Sequence, residues 1–242
     1  MNKHCLIPDW DTPTNIHVAM TLRTGGFSTG VYDSFNLATH VGDDLTRVLE
    51  NRQLLKKELN LPADPVWLEQ THSDIVIDAG QATTLQQADA SYSDKAGVVC
   101  AVMTADCLPV LICTKDGQKI AAIHAGWKGL LAGIISNTLM ALNSNEVLVW
   151  LGAAISARCF EVGEEVRAAF VAKSPDFAAG FRVTGNNKYL ADIYQLARIE
   201  LAARGIHAVY GGEFCTYTDK DRFYSYRRET QTGRMATLIW RD

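Results

Sequence analysis

The chain has 242 residues, 48% of them hydrophobic and 21% charged, with a formal net charge of −4, which is an ordinary globular composition. The mildly negative balance gives no general attraction to nucleic acid or to an anionic membrane surface. No apolar run approaches the ~20 residues needed to span a bilayer, and residues 1–13 carry no continuous apolar segment of signal-peptide length, so a soluble, cytoplasmic protein is expected.

Read in chain order, residues 18–22 form a strand that leads into a glycine-rich segment, RTGGFSTG (23–30), and a polar loop, DSFNLATHVGDD (33–44). The glycines lack the spacing of a phosphate loop and mark a turn that needs positive φ. A helix is expected over 45–59, then strands over 66–69, 75–77 and 98–103. Residues 108–113 and 119–123 read as the two arms of a β-hairpin around TKDGQ (114–118). Helical spacing of Leu130, Ile134, Thr138 and Leu142 predicts a helix over 126–142. A buried strand over 147–151 follows, then helices near 164–172 and 193–204. The chain ends in two predicted strands, 223–228 and 235–240, around TQTG (230–233). No repeat, low-complexity stretch or linker divides the chain. One domain over residues 1–242 is expected, of α+β class with mixed sheets, because strands and helices interleave with hairpins.

Two segments flanking the hairpin carry chemistry: MTADCLPV (103–110) and AIHAGWKG (122–129). If Asp116-Gly117 centres a two-residue turn, 115 pairs with 118 and His124 lies opposite Pro109. Cys107 then shares a face with Pro109 and becomes a diagonal neighbour of His124, with Cβ atoms about 7 Å apart or less. A slip of one residue would put the two on opposite faces. A thiol and an imidazole converging at one hairpin end suit metal binding or nucleophilic catalysis. His72, at the end of a predicted strand, adds a second imidazole. The three would make a zinc set with an open fourth position, although for His72 alone an ordinary loop residue is the simpler reading. Nitrogen and sulfur donors suit zinc or copper better than magnesium or calcium.

Other metal signatures are missing. Neither the zinc deaminase pattern nor helical H-E-x-x-H occurs, and the six histidines contain no H-x-H pair of the kind that builds multi-copper clusters. The six cysteines form no CxxC pair, and Cys100 and Cys113 read as buried hydrophobes.

Arg52 falls on the stripe Leu45, Val48, Leu49, Leu55 and Leu59 of the first helix. A buried guanidinium there needs a partner, either a structural carboxylate or a substrate anion. Asn36 could read a base or ribose edge or close a turn on its own backbone, and the turn is the simpler reading. Arg227 and Arg228, adjacent in FYSYRRE (223–229), face opposite sides if that segment is a strand; the sequence leaves open which of them points into a pocket. Asp106 points away from Cys107 on a regular strand and toward it only if the chain bends.

The segments WLEQTH (67–72), ADASY (88–92), CAVMTADCLPV (100–110), HAGWKG (124–129), LGAAI (151–155), FEVG (160–163) and SYRR (225–228) resemble a bacterial family. Its members were once described as laccase-domain or polyphenol oxidases and are now described as purine nucleoside phosphorylases, some as peptidoglycan-editing factors. The motifs run in the family's order over most of the chain. The resemblance implies a single-domain, layered αββα-type sandwich and a zinc ion, in preference to copper, held by His72, Cys107 and His124. It further implies phosphorolysis of adenosine, inosine, guanosine and methylthioadenosine, together with adenosine deamination.

The expected partners are therefore purine nucleosides and phosphate, with no nucleic acid and no membrane. Substrate contacts are expected from Arg52, Asn36 and Arg228, and Arg52 is placed at the phosphate or ribose. In a second reading Cys107 is a nucleophile with His124 as its base, in an amide hydrolase that removes wrongly incorporated amino acids from cell-wall precursors. In a third the protein binds a nucleoside or a partner without turnover.

Overall fold

The computed structural model describes residues 4–242. Its strands fall chiefly into two stacked sheets. One has four strands in the order Cys5–Leu6, Ile16–Thr21, Met235–Arg241, Val99–Thr104, all antiparallel. The other has six, in the order Val209–Gly211, Val147–Leu151, Leu108–Thr114, Ile120–Ala125, Ala90–Ser93, Val76–Asp78. Its outer pairs are parallel and its inner pairs antiparallel. The sheets are mixed, as the interleaving of elements predicts.

Three apolar layers hold the stack together. Met20, Val102, Leu111, Trp150 and Ile239 fill the space between the two sheets. Leu108, Val110, Ile112 and Ile123 point the other way, against Leu130, Ile134, Phe170 and Leu196 of the helices covering the six-stranded sheet. Ala101, Met103 and Leu238 on the outer face of the four-stranded sheet meet Leu55 of the helix Leu45–Glu58. The order is helix, sheet, sheet, helix, which is why the central strands read as unbroken apolar runs: both of their faces are buried.

The hairpin register is the one the Asp-Gly turn predicts. Pro109 pairs with His124 and Cys113 with Ile120, but the turn is not centred on Asp116-Gly117: Gly117, at φ 69°, donates its N–H to the Thr114 carbonyl at 2.9 Å, which makes Lys115 and Asp116 the central residues.

Four expectations need correction. The helix over 126–142 is two helices, Trp127–Ala132 and Ile134–Leu142, because Gly133 adopts φ 102° and caps the first. The apolar stripe on the first helix is rotated: Val48, Asn51 and Leu55 are buried, whereas Leu45 and Leu49 are exposed. Residues 223–228 are not a strand. Ser225 caps a short helical turn, Tyr226–Glu229, by accepting the N–H of Arg228. A small sheet of Glu161–Gly163, Lys188–Ala191 and Phe181–Gly185 was not expected; its hairpin turns at Asn186 and Asn187, both at positive φ. Among the described residues, no helix is long and apolar enough to cross a membrane.

Candidate metal centre

The chain leaves the strand Val99–Thr104, turns at Asp106 with φ 92°, and enters the hairpin at Leu108. Cys107 sits in that bend. His124 is next to last in the partner strand and is 4% exposed. His72 lies in the loop after Leu68–Glu69 at φ 62°. The three meet: Cys107 Sγ is 3.6 Å from His72 Nε2, and the two imidazole rings stand edge to face with centroids 4.8 Å apart. Their donor atoms all lie within 4.8 Å of one another. Gly126 makes this approach possible, because a Cβ there would lie 2.7 Å from His72 Cδ2 and 3.1 Å from Cys107 Sγ.

One buried carboxylate organises two of these ligands. Asp89 accepts His124 Nδ1 at 2.7 Å. It also accepts the backbone N–H groups of Thr71 (3.2 Å), His72 (3.0 Å) and Ser73 (2.6 Å), and the Ser73 hydroxyl at 2.6 Å. It thereby fixes both the tautomer of His124 and the loop that carries His72. Gln70 adds a second tie, pairing its amide with the backbone N–H and C=O of Met103.

Asp89 lies within the ADASY segment (88–92), where the sequence reading assigns it no role. The available signal was a lone carboxylate in a stretch that must be buried, where a charge needs several partners.

These contacts set the electrostatics. Burial alone would raise the Cys107 thiol, but the His124 and His72 imidazoles bring it down to about 6. Burial would lower His124, but Cys107 and Asp89 push it up to about 9. Burial would raise Asp89, but hydrogen bonds from His124 and Ser73 hold it at about 2. Thiolate, imidazolium and carboxylate thus stabilise one another in the metal-free protein.

The cluster opens into a cavity of about 570 Å³ that is also lined by His40, Trp127, Phe160, Tyr226, Arg227 and Arg234. Arg227 is therefore the member of the arginine pair that borders the cavity. Its Nη1 donates to the Glu161 carbonyl at 3.0 Å, and its guanidinium lies over the Phe160 ring.

Arg228 is used by the fold instead. Its guanidinium donates to the carbonyls of Thr216, Tyr217 and Phe223 and to Glu229. Asn36 is likewise bonded within the fold. It is 0% exposed, and its amide bonds Ala38, Asp43 and the N–H of Arg234.

Arg52 lies apart from the cluster, in a neighbouring hollow that shares His40, Gln70 and Met103 with the cavity. It stacks 4.1 Å over Trp67 and donates Nε to the Leu37 carbonyl. Arg234, adjacent to the terminal strand, gave no pattern by which sequence reasoning could find it. Asp106 does sit in a bend, yet its carboxylate accepts from Thr216 Oγ1 (2.6 Å), Ser225 Oγ (3.0 Å) and the N–H of Arg227 (2.6 Å). It positions the Cys107 bend and the Arg227 turn.

The donor chemistry fits a soft or borderline metal. Two imidazoles and a thiolate match zinc, and the carboxylate behind His124 is the usual outer support of such a ligand. Fold and site together define a layered α+β protein with a His-Cys-His candidate metal site beside an open cavity.

Comparison with known proteins agrees with that definition. Residues 17–242 match the family described as multi-copper polyphenol oxidoreductase laccase, and the chain belongs to that family. Purine nucleoside phosphorylase YfiH of Escherichia coli K12 is 50% identical over 97% of this chain and 98% of its own length. Purine nucleoside phosphorylase PA4543 of Pseudomonas aeruginosa is 49% identical over 97% of each chain. The crystal structure of Neisseria meningitidis protein NMB0706 superposes with a TM-score of 0.96 at 47% identity, covering 99% of this chain and 100% of that one. YlmD from Geobacillus stearothermophilus gives 0.92 at 28% identity, covering 100% and 97%.

Proposed function

We propose that this protein is a zinc-dependent purine nucleoside phosphorylase acting on adenosine, inosine, guanosine and methylthioadenosine, with adenosine deamination as a side activity. The observation that carries the reading is the His72-Cys107-His124 cluster at the floor of a cavity with aromatic walls and two arginines. The relatives named above as purine nucleoside phosphorylases support the same reading at half identity over nearly the whole chain.

Each part of the cavity has a use in this reaction. Trp127, Phe160 and Tyr226 offer flat apolar surfaces to a purine. Arg227 and Arg234 offer planar cationic donors to phosphate. Arg52 reaches the substrate if the nucleoside lies across the rim of His40, Gln70 and Met103 that joins the two hollows. His72, Cys107 and His124 hold the metal, which when bound supplies a Lewis acid at that floor. Zinc is preferred to copper because the donors form one three-residue group among the described residues and the histidines include no H-x-H pair. The substrates are small molecules of the cytoplasm.

Incubation with adenosine, with and without phosphate, tests the reading. Adenine and ribose 1-phosphate should appear only with phosphate, and inosine should report the deamination. Absence of both products, with the metal site loaded, would overturn the proposal.

One feature favours a second reading. Cys107, His124 and Asp89 also form a thiol–imidazole–carboxylate chain, the arrangement of a cysteine nucleophile with an oriented base. That reading requires a free thiolate. It predicts covalent labelling of Cys107 by an amide-like substrate and no stoichiometric metal in the native protein.

A further inference from the structure

Away from the candidate metal centre, two half-buried cysteines, Cys159 and Cys215, gather around Ser156. Cys215 pairs with Ala154 through an isolated parallel bridge, and its Sγ accepts the backbone N–H of Ser156 at 3.4 Å. The turn that begins at Ser156 ends at Cys159, whose N–H donates to the Ser156 carbonyl at 2.9 Å. Ser156 thus bonds to both cysteines, its N–H to Cys215 Sγ and its carbonyl to the Cys159 N–H, and Cys215 lies near enough to raise the Cys159 thiol. Both side chains are partly exposed, so a small reagent can reach them.

The two sulfurs are unequal. Burial would raise Cys215, but Ser156 and Thr218 hydrogen bonds bring it down to about 7. Cys159 is raised by burial and by its neighbour Cys215. Cys5, Cys100 and Cys113 are buried and pushed up to about 12, chiefly by burial. Cys107 is committed to the metal cluster. Nucleophilic attack by a cysteine needs both thiolate and access, and outside the metal site Cys215 combines them best.

We propose that Cys215 and Cys159 form a reversible thiol-modification site that reacts with low-molecular-weight disulfides. The Cys215 thiolate attacks one sulfur of the reagent, the reagent's S–S bond breaks, and one thiol leaves. Cys159 then attacks Cys215 in the mixed disulfide, and the second reagent thiol leaves. The two cysteines lose two electrons and two protons, and the reagent disulfide is reduced to two thiols. The site bears on the metal centre through Thr216, adjacent to Cys215, whose hydroxyl holds Asp106 at the Cys107 bend.

The test uses the full-length, metal-loaded protein and oxidised glutathione. Trypsin separates the two cysteines into the peptides CFEVGEEVR (159–167) and GIHAVYGGEFCTYTDK (205–220). The expected product is a single species joining these peptides, two hydrogens lighter than their sum, that disappears on reduction. In Cys159→Ser, glutathione should instead accumulate on Cys215. Persistent glutathione on Cys215 of the wild type, a bond to any other cysteine, or no reaction at Cys215 in Cys159→Ser would each overturn the proposal.

Discussion

His124 Nδ1 lies 2.7 Å from Asp89 Oδ1, and that carboxylate also receives the backbone N–H of His72 at 3.0 Å. One buried side chain therefore aims one ligand and anchors the loop of another. Asp89→Asn keeps the volume but weakens both functions, because an amide carries no charge and offers one acceptor oxygen instead of two. Metal affinity should fall about 10- to 100-fold, as it does when outer-shell partners of metal-binding histidines are removed. A competitive chelator titration measures this, and unchanged affinity would refute the role.

Gly126 supplies the space in which His72 and Cys107 converge. Gly126→Ala puts a methyl group 2.7 Å from His72 Cδ2, and the His72 loop must give way. Gly126 has φ −66°, which alanine adopts freely. The folded state should therefore survive while bound metal drops well below one per chain. Metal analysis beside a thermal melt separates the two effects.

In the metal-free protein Cys107 should react as a thiolate down to about pH 6, set by burial opposed by the two imidazoles. The sign follows from the charges: imidazolium favours thiolate, so reactivity is lost as pH falls through that value, not through the ~8.5 of a free cysteine. The iodoacetamide rate against pH, read on the Cys107 peptide, checks it. His124→Asn should move the midpoint upward, and added zinc should abolish labelling.

The arginines should divide by function. Arg234→Ala should raise the KM for phosphate about tenfold or more, with the fold retained, since a cationic donor facing an anion contributes more than ~1.4 kcal/mol. Arg228→Ala should leave the phosphate KM close to wild type. It should cost about 2–4 kcal/mol of stability, because three backbone carbonyls lose a charged donor. Steady-state kinetics and urea unfolding of both variants give the answer.

Local chemistry made much of this molecule legible in its sequence. A short turn in TKDGQ (114–118) and period-two alternation are enough to pair Pro109 with His124, because a hairpin's register is set within a few residues of its turn. The 147–151 strand reads from its apolar run alone. Leu45 and Leu49 look like core residues in the sequence, and only the packing of Val48, Asn51 and Leu55 shows which face is covered, with Arg52 half-buried at its edge against Trp67. Ser225 turned a predicted strand into a helical turn by bonding the N–H of Arg228, and Asp106, distant in sequence, holds the N–H of Arg227.

By itself, then, the sequence determined the hairpin, the Cys107/His124 pair at its end and the donor types that suit zinc. Tertiary structure decided that Asp89 stands behind His124, that Arg227 and Arg234 border the cavity, and that Asn36 and Arg228 serve the fold. The reason is range. Turn geometry and side-chain alternation act over a few residues, whereas Asp89 meets His124 across a pair of neighbouring strands, and Arg234 reaches the cavity because the terminal strand inserts between Ile16–Thr21 and Val99–Thr104 in the four-stranded sheet.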